Sequence, residues 1–143
     1  MKIAIGGDHA GFDLKVKVIE KLKHEGHDVK DFGPFTNDSC DYPDYVHPLA
    51  QAVEAGEYTF GIVICGSGNG VNMVANKYQG IRSGLCWEPG LAEMTRLHND
   101  ANILAVPARY IPQDVGLAIV DAFIHTDFEG GRHQRRVDKI KCK

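Results

Sequence analysis

The chain has 143 residues, of which 43% are hydrophobic and 24% charged, enough for one domain over residues 1–143 with a proper core. A net charge of −3 lacks the broad basic excess of a general nucleic-acid binder, and no apolar run approaches the roughly eighteen residues of a membrane span. Cys40, Cys65, Cys86 and Cys142 are widely spaced with no C-x-x-C pair, which argues against zinc knuckles and disulfide scaffolds and leads us to expect a cytoplasmic protein without a signal peptide.

Lys2–Ile5 is a short apolar strand, followed by Gly6-Gly7-Asp8-His9-Ala10-Gly11. From Phe12 to His24, Leu14, Val18 and Leu22 repeat at helical spacing and Ile19 widens the stripe; Gly26 stops the helix. A second strand is expected over His27–Phe32, ended by Gly33-Pro34. Thr36–Tyr42 is polar and turn-rich. Pro43 opens a helix to about Ala55, in which Pro48 is an irregularity. Phe60–Cys65 is apolar at consecutive positions, as in a strand buried on both faces. A glycine-rich loop, Gly66-Ser67-Gly68-Asn69-Gly70, leads into a short helix over Val71–Lys77. A fourth strand over Ile81–Cys86, a helix over Glu88–Leu97, a loop at His98–Asn102 and a fifth strand over Ile103–Val106 follow. The last elements are a helix over Ile111–Thr126 and, past Gly130-Gly131, a basic segment at Arg132–Lys141.

Strands alternating with helices imply an α/β fold: a three-layer, Rossmann-like, five-stranded parallel sheet with helices on both faces. Ligands in such sheets bind outside the carboxyl ends of the strands. That rule gathers Asp8 and His9, the Cys65–Gly70 loop, and His98 and Asn99 on one edge.

Alternating glycines allow backbone N–H groups to converge on an anion or a developing oxyanion, although a tight strand-to-helix turn needs glycines too. A lone cysteine is usually a small buried hydrophobe, but Cys65 at a strand's carboxyl end faces a helix N-terminus that favours a thiolate. Such a thiolate serves either as a nucleophile, with His9 or His98 as partner, or as a base for C–H abstraction. Asp8 reads equally as a helix cap and as a site residue. Gly6 and Gly11 match the outer glycines of a dinucleotide fingerprint, with Asp31 where a ribose-binding acid would stand. Asp8 replaces the middle glycine, however, and would repel the pyrophosphate, so no such cofactor is expected. Arg132 and Arg136, four apart, present two guanidinium forks on one helix face, suited to a phosphate monoester, whereas Lys139, Lys141 and Lys143 read as a solvated tail. His98 is a candidate proton donor. None of the histidines shows an H-x-x-x-H metal spacing.

Taken together, Gly7–Gly11, Asp41-Tyr42-Pro43, Cys65–Gly70, Ala75-Asn76-Lys77, His98–Asn102 and Gly130–Arg136 resemble the type B ribose-5-phosphate isomerase family, which includes galactose-6-phosphate isomerase subunits and allose-6-phosphate isomerases. The resemblance covers nearly the whole chain. It implies an aldose–ketose isomerase of a sugar phosphate that needs neither metal nor cofactor. Cys65 would be the base, because Val71 stands where other members carry a basic glutamate. Gly66, Ser67, Gly68, Asn69 and Gly70 would hold the enediolate oxygen. His98 would open the sugar ring, with His133 as the second choice. Asp8, Tyr42 and Asn99 would bind hydroxyls, and His9, Arg109, Arg132 and Arg136 would complete the phosphate pocket. Members are homodimers, in some cases tetramers, with active sites shared between subunits, so residues 130–143 would pack at a dimer interface. A six-carbon substrate and a non-catalytic sugar-phosphate-binding module are the alternatives.

Overall fold

The structure is a computed structural model that describes residues 1–143. Five parallel strands, β1 (Lys2–Gly7), β2 (Asp28–Asp31), β3 (Phe60–Cys65), β4 (Ser83–Leu85) and β5 (Ile103–Pro107), form one sheet in the order β2-β1-β3-β5-β4. Six helices accompany them: α1 (Phe12–His24), α2 (Tyr42–Glu54), α3 (Asn69–Ala75), α4 (Pro89–Asn99), α5 (Gln113–Ile124) and α6 (Arg132–Asp138). The α/β, Rossmann-like architecture with helices on both faces is the one expected.

Alternation along β3 explains the two layers. Phe60, Ile62 and Ile64 join Leu14, Val18, Leu22, Ala92, Ile119 and Phe123 on the α1, α4 and α5 face. Val63 and Cys65 turn to the other face and join Val46, Leu49, Ala50, Val53, Val71 and Ala75 from α2 and α3. A strand with period-two side chains can be apolar throughout only when both faces are covered. The Cys65 side chain therefore belongs to the α2 and α3 layer.

The strand order reverses between β1 and β3: the chain first moves outward to β2, then returns to the far side of β1. Crossovers leave this switch point in opposite directions and open a crevice at its carboxyl edge. Asp8 follows β1 and Cys65 ends β3, so both stand at that crevice. Asp8 N–H donates to the Ile64 carbonyl at 3.1 Å and closes the first turn against β3.

Several boundaries differ from expectation. β4 covers only Ser83–Leu85, because it is an edge strand that pairs with β5 over those three residues, whereas Ile81 N–H is spent on a turn to Tyr78. The glycine loop is shorter than expected, since α3 begins at Asn69. α2 continues through Pro48, held by the buried stripe Val46, Leu49, Ala50 and Val53. Lys15, one of the charged residues between the apolar positions of α1, is 1% exposed. Its ammonium donates to Asp31 at 2.8 Å and to the Pro34 carbonyl, and Gly33 N–H also donates to Asp31, at 2.8 Å. This network fixes the segment whose Gly33 carbonyl accepts from Gly7 N–H at 3.0 Å, directly beneath the Asp8 turn.

Candidate active site

The crevice is a cavity of about 390 Å³ lined by Asp8, His9, Ala10, Tyr42, Cys65, Gly66, Ser67, Gly70, Arg109 and Tyr110. Its floor is the end of β3. Cys65 is 5% exposed, and its Sγ accepts the Gly68 N–H at 3.1 Å. The loop curls over the thiol because Gly68 adopts φ +73°, and a Cβ there would lie 2.5 Å from the Leu85 side chain. At Gly70 a Cβ would meet the Tyr42 ring at 2.5 Å, so only glycine lets that ring close the cavity against the loop.

The loop N–H groups divide by use. Gly68 serves the thiol, and Asn69 N–H donates to Ser67 Oγ at 3.3 Å. The N–H groups of Gly66, Ser67 and Gly70 have no acceptor within the protein. These three residues line the cavity beside Cys65, a cradle for negative charge next to a potential base.

Asp8 caps a turn and stands at the cavity wall. Its carboxylate caps the turn at His9–Gly11, accepting Ala10 N–H at 2.9 Å and Gly11 N–H at 3.1 Å, while also lining the cavity. His9 Nδ1 accepts the Cys40 N–H at 3.3 Å, which leaves Nε2 as the proton-bearing nitrogen of the neutral ring. Arg109 is held through its N–H to the Gly66 carbonyl at 3.0 Å. Asp31, weighed as a ribose ligand, is committed to Lys15.

His98 and Asn99 are not on this edge. The sequence placed them in a loop beside Cys65, but they form the last turn of α4 and line a separate cavity of about 290 Å³ with His133, Arg136, Val137 and Ile140. The reason is directional. α4 leaves the carboxyl end of β4 and returns the chain to the amino end of β5, so its last turn lies at the opposite edge. The rule that gathers ligands applies to loops that follow strands, whereas His98–Asn102 precedes one. Two other expected residues also lie apart from the thiol cavity: Asn69 lines a neighbouring groove with Leu85, Trp87 and Pro107, and Gly68 is buried beneath the loop. Arg136 reaches the histidine cavity; Arg132, one turn earlier on α6, is exposed and does not line it.

Within the second cavity, the His98 and His133 rings stack with centroids 4.3 Å apart at 14°. Burial, reinforced by His98 and by Arg132 and Arg136, holds the His133 imidazole below the usual histidine range, against the pull of Glu129. Sequence reasoning missed Glu129, whose carboxylate lies 3.7 Å from His98 Nε2 and 3.8 Å from His133 Nε2. The i,i+4 relation of Glu129 to His133 was the available signal. Tyr110 was missed as well; it directly follows Arg109 in the loop after β5.

Other motif residues are structural. Asn76 clamps β4 by donating to the Ser83 carbonyl at 3.0 Å and accepting Ser83 N–H at 2.8 Å. Asp100, at φ +48°, accepts from Arg96 and Arg82. Asn102 bridges Arg82 N–H and the Gly80 carbonyl. Burial pushes the Cys86 thiol up to about 12, so it stays protonated at neutral pH.

Fold and site together define a doubly wound α/β domain with a thiol and three uncommitted loop N–H groups at its topological switch point. The chain belongs to the family described as Ribose/Galactose Isomerase, whose model matches residues 3–140. It is 45% identical over 139 residues to ribose-5-phosphate isomerase B of Escherichia coli (strain K12), covering 97% of this chain and 93% of that one. Among solved structures, a ribose 5-phosphate isomerase from Thermotoga maritima superposes with a TM-score of 0.95 at 47% identity, over 98% of this chain and 97% of that one. Ribose-5-phosphate isomerase B from Mycoplasma genitalium, solved with bound ribulose-5-phosphate, superposes at 0.93 with 40% identity, over 97% and 93% of the two chains. No helix is long and apolar enough to cross a membrane.

Proposed function

We propose that the chain is a metal-independent aldose–ketose isomerase that interconverts ribose 5-phosphate and ribulose 5-phosphate through an enediolate. The observation that carries this reading is the Cys65 thiol beside three uncommitted loop N–H groups in one cavity. Cys65, as thiolate, removes the proton from C2 of the open-chain aldose and returns it to C1, while the proton of the C2 hydroxyl passes to the C1 oxygen. The negative charge that develops on the enediolate oxygen is received by the N–H groups of Gly66, Ser67 and Gly70, which carry no competing acceptor within the protein. The Ser67 hydroxyl completes that cradle. Asp8 and Tyr42 hold substrate hydroxyls, while His9 and Arg109 contribute donors at the cavity wall.

Ring opening and phosphate binding fall to the second cavity. His98, with His133 beside it, moves the ring-opening proton, Asn99 holds a hydroxyl, and Arg136 binds the phosphate, with the exposed Arg132 one turn earlier on α6 supplying a second guanidinium from outside the cavity. Because the two cavities lie at opposite edges of one chain, a complete site forms between two copies, the thiol cavity of one protomer meeting the histidine cavity of its partner. Residues 130–143 then pack at the dimer interface of a one-domain protomer, and the four unpaired thiols suit a cytoplasmic enzyme.

The test is Cys65→Ala. Loss of a general base is expected to lower exchange of the C2 proton by at least ~100-fold, with ribose 5-phosphate binding still measurable by calorimetry. Near-normal turnover in that variant would remove Cys65 from the base role. A kcat/KM comparison of ribose 5-phosphate with allose 6-phosphate and galactose 6-phosphate tests the five-carbon preference.

A further inference from the structure

We propose that His98, Glu129 and His133 form a binding site for a divalent transition cation of the zinc class, and that its occupancy switches the isomerase off. Three separate segments bring the ligands together. His98 ends α4, Glu129 lies in the connection after α5, and His133 occupies the first turn of α6. Their ligand atoms all lie within 4.8 Å of one another.

The backbone builds this approach. Glu129 N–H donates to the Leu97 carbonyl at 3.1 Å, which pins the connection to the last turn of α4 and brings the carboxylate towards His98. Gly130 and Gly131, at φ +72° and +56°, then turn the chain so that α6 starts at once. His133 N–H donates back to the Gly130 carbonyl at 3.1 Å, and its ring faces the same carboxylate.

A second observation points to a ligand. His133 is 5% exposed, and its Nε2 is buried without any hydrogen-bond partner. A buried imidazole nitrogen left in this state is costly, and a cation would occupy its lone pair. Two imidazoles and one carboxylate form a borderline donor set that suits zinc, cobalt or nickel rather than the hard cations magnesium and calcium. Tetrahedral zinc with bonds of about 2.0–2.1 Å spaces its ligand atoms about 3.4 Å apart. The two histidine–carboxylate separations of 3.7 and 3.8 Å contract slightly on binding, and the His98 ring turns out of its stack on His133 to bring its lone pair onto the cation. Glu129 is 55% exposed and His98 40% exposed, so both have room to move. Arg132 and Arg136 add positive charge nearby and weaken the site relative to a dedicated structural one.

Binding itself is independent of the proposed reaction; the inhibitory consequence rests on that reading, in which His98 needs its ring nitrogen free to carry a proton. Co²⁺ is the probe for binding, because its visible d–d absorption reports coordination whether or not the protein turns over substrate. Titration of the tag-free protein is expected to produce these bands at one equivalent per chain. Glu129→Ala and the shape-preserving Glu129→Gln are each expected to weaken Co²⁺ at least ~10-fold, and Cys65→Ala is expected to leave the bands intact. Zn²⁺ is expected to inhibit ribose 5-phosphate isomerisation reversibly with EDTA, and the Glu129 variants should need at least ~10-fold more Zn²⁺ for half-inhibition, relative to their own metal-free rates. Absence of d–d bands in the wild-type chain, their persistence in both Glu129 variants or their loss in Cys65→Ala would overturn the site. A chain that binds Co²⁺ as described but shows no isomerase activity would overturn the proposed function and leave the site standing.

Discussion

Mixing two inactive variants tests the shared site most directly. Cys65 and His98 stand at opposite edges of the sheet: Cys65 ends β3 at the carboxyl edge, whereas His98 lies in the last turn of α4, an eleven-residue helix about 16 Å long that runs back to the amino edge. If catalysis joins Cys65 of one protomer to His98 of the other, then Cys65→Ala and His98→Ala homodimers each contain two broken sites. A heterodimer assembled from one chain of each has one site with both defects and one with none. Under two-fold symmetry, random reassortment yields heterodimers as about half of all dimers, each with half its sites intact, so about one quarter of wild-type activity should return. The variants are coexpressed, or unfolded and refolded together, and assayed with ribose 5-phosphate after native mass spectrometry has confirmed the heterodimer fraction. A mixture that contains heterodimers but is no more active than its parents would refute the sharing of sites.

Three further outcomes are expected. Arg136→Ala should raise KM with a smaller effect on kcat, because a phosphate contact remote from C1 and C2 binds ground and transition states alike; an unchanged KM would take Arg136 out of the phosphate site. Lys15→Met keeps the volume of a buried side chain but leaves Asp31, 29% exposed, without its ammonium partner. A loss of about 2–3 kcal/mol, read as a fall in Tm of roughly 5–12 °C, is expected, and a change under about 2 °C would show that the pair is not important for stability. The folded-state pKa of His133 lies below its unfolded value, so the unfolded chain binds the extra proton first and stability falls as pH drops through the ordinary histidine range. His133→Gln should flatten that part of the profile in thermal melts taken between about pH 8 and about pH 5.5; an unchanged slope would assign it to other groups.

The arrangement of elements was largely legible, because it is written in local signals. Leu14, Val18 and Leu22 on α1 and the unbroken apolar run of β3 require only helical and strand periodicity to interpret, and both are buried as expected. Cys65 and its loop were legible for the same reason: a strand end, three glycines and a helix start are contiguous in sequence. Lys15 was not, since nothing local distinguishes a lysine on the outer stripe from one that reaches under the Gly33–Pro34 segment to Asp31, sixteen residues away.

His98 marks the limit. Its place depended on the direction in which α4 crosses the sheet. Glu129 shows the same limit from the other side: it meets His98 only because a backbone bond to Leu97 brings two distant segments together. Local order along the chain thus determined the class of fold and the placing of the Cys65 thiol beside its glycine loop, where the interacting groups are neighbours in sequence. Tertiary structure alone decided that Cys65 and His98 line separate cavities on opposite edges, because the end of a crossover helix is placed by strand order and helix direction rather than by the residues that compose it.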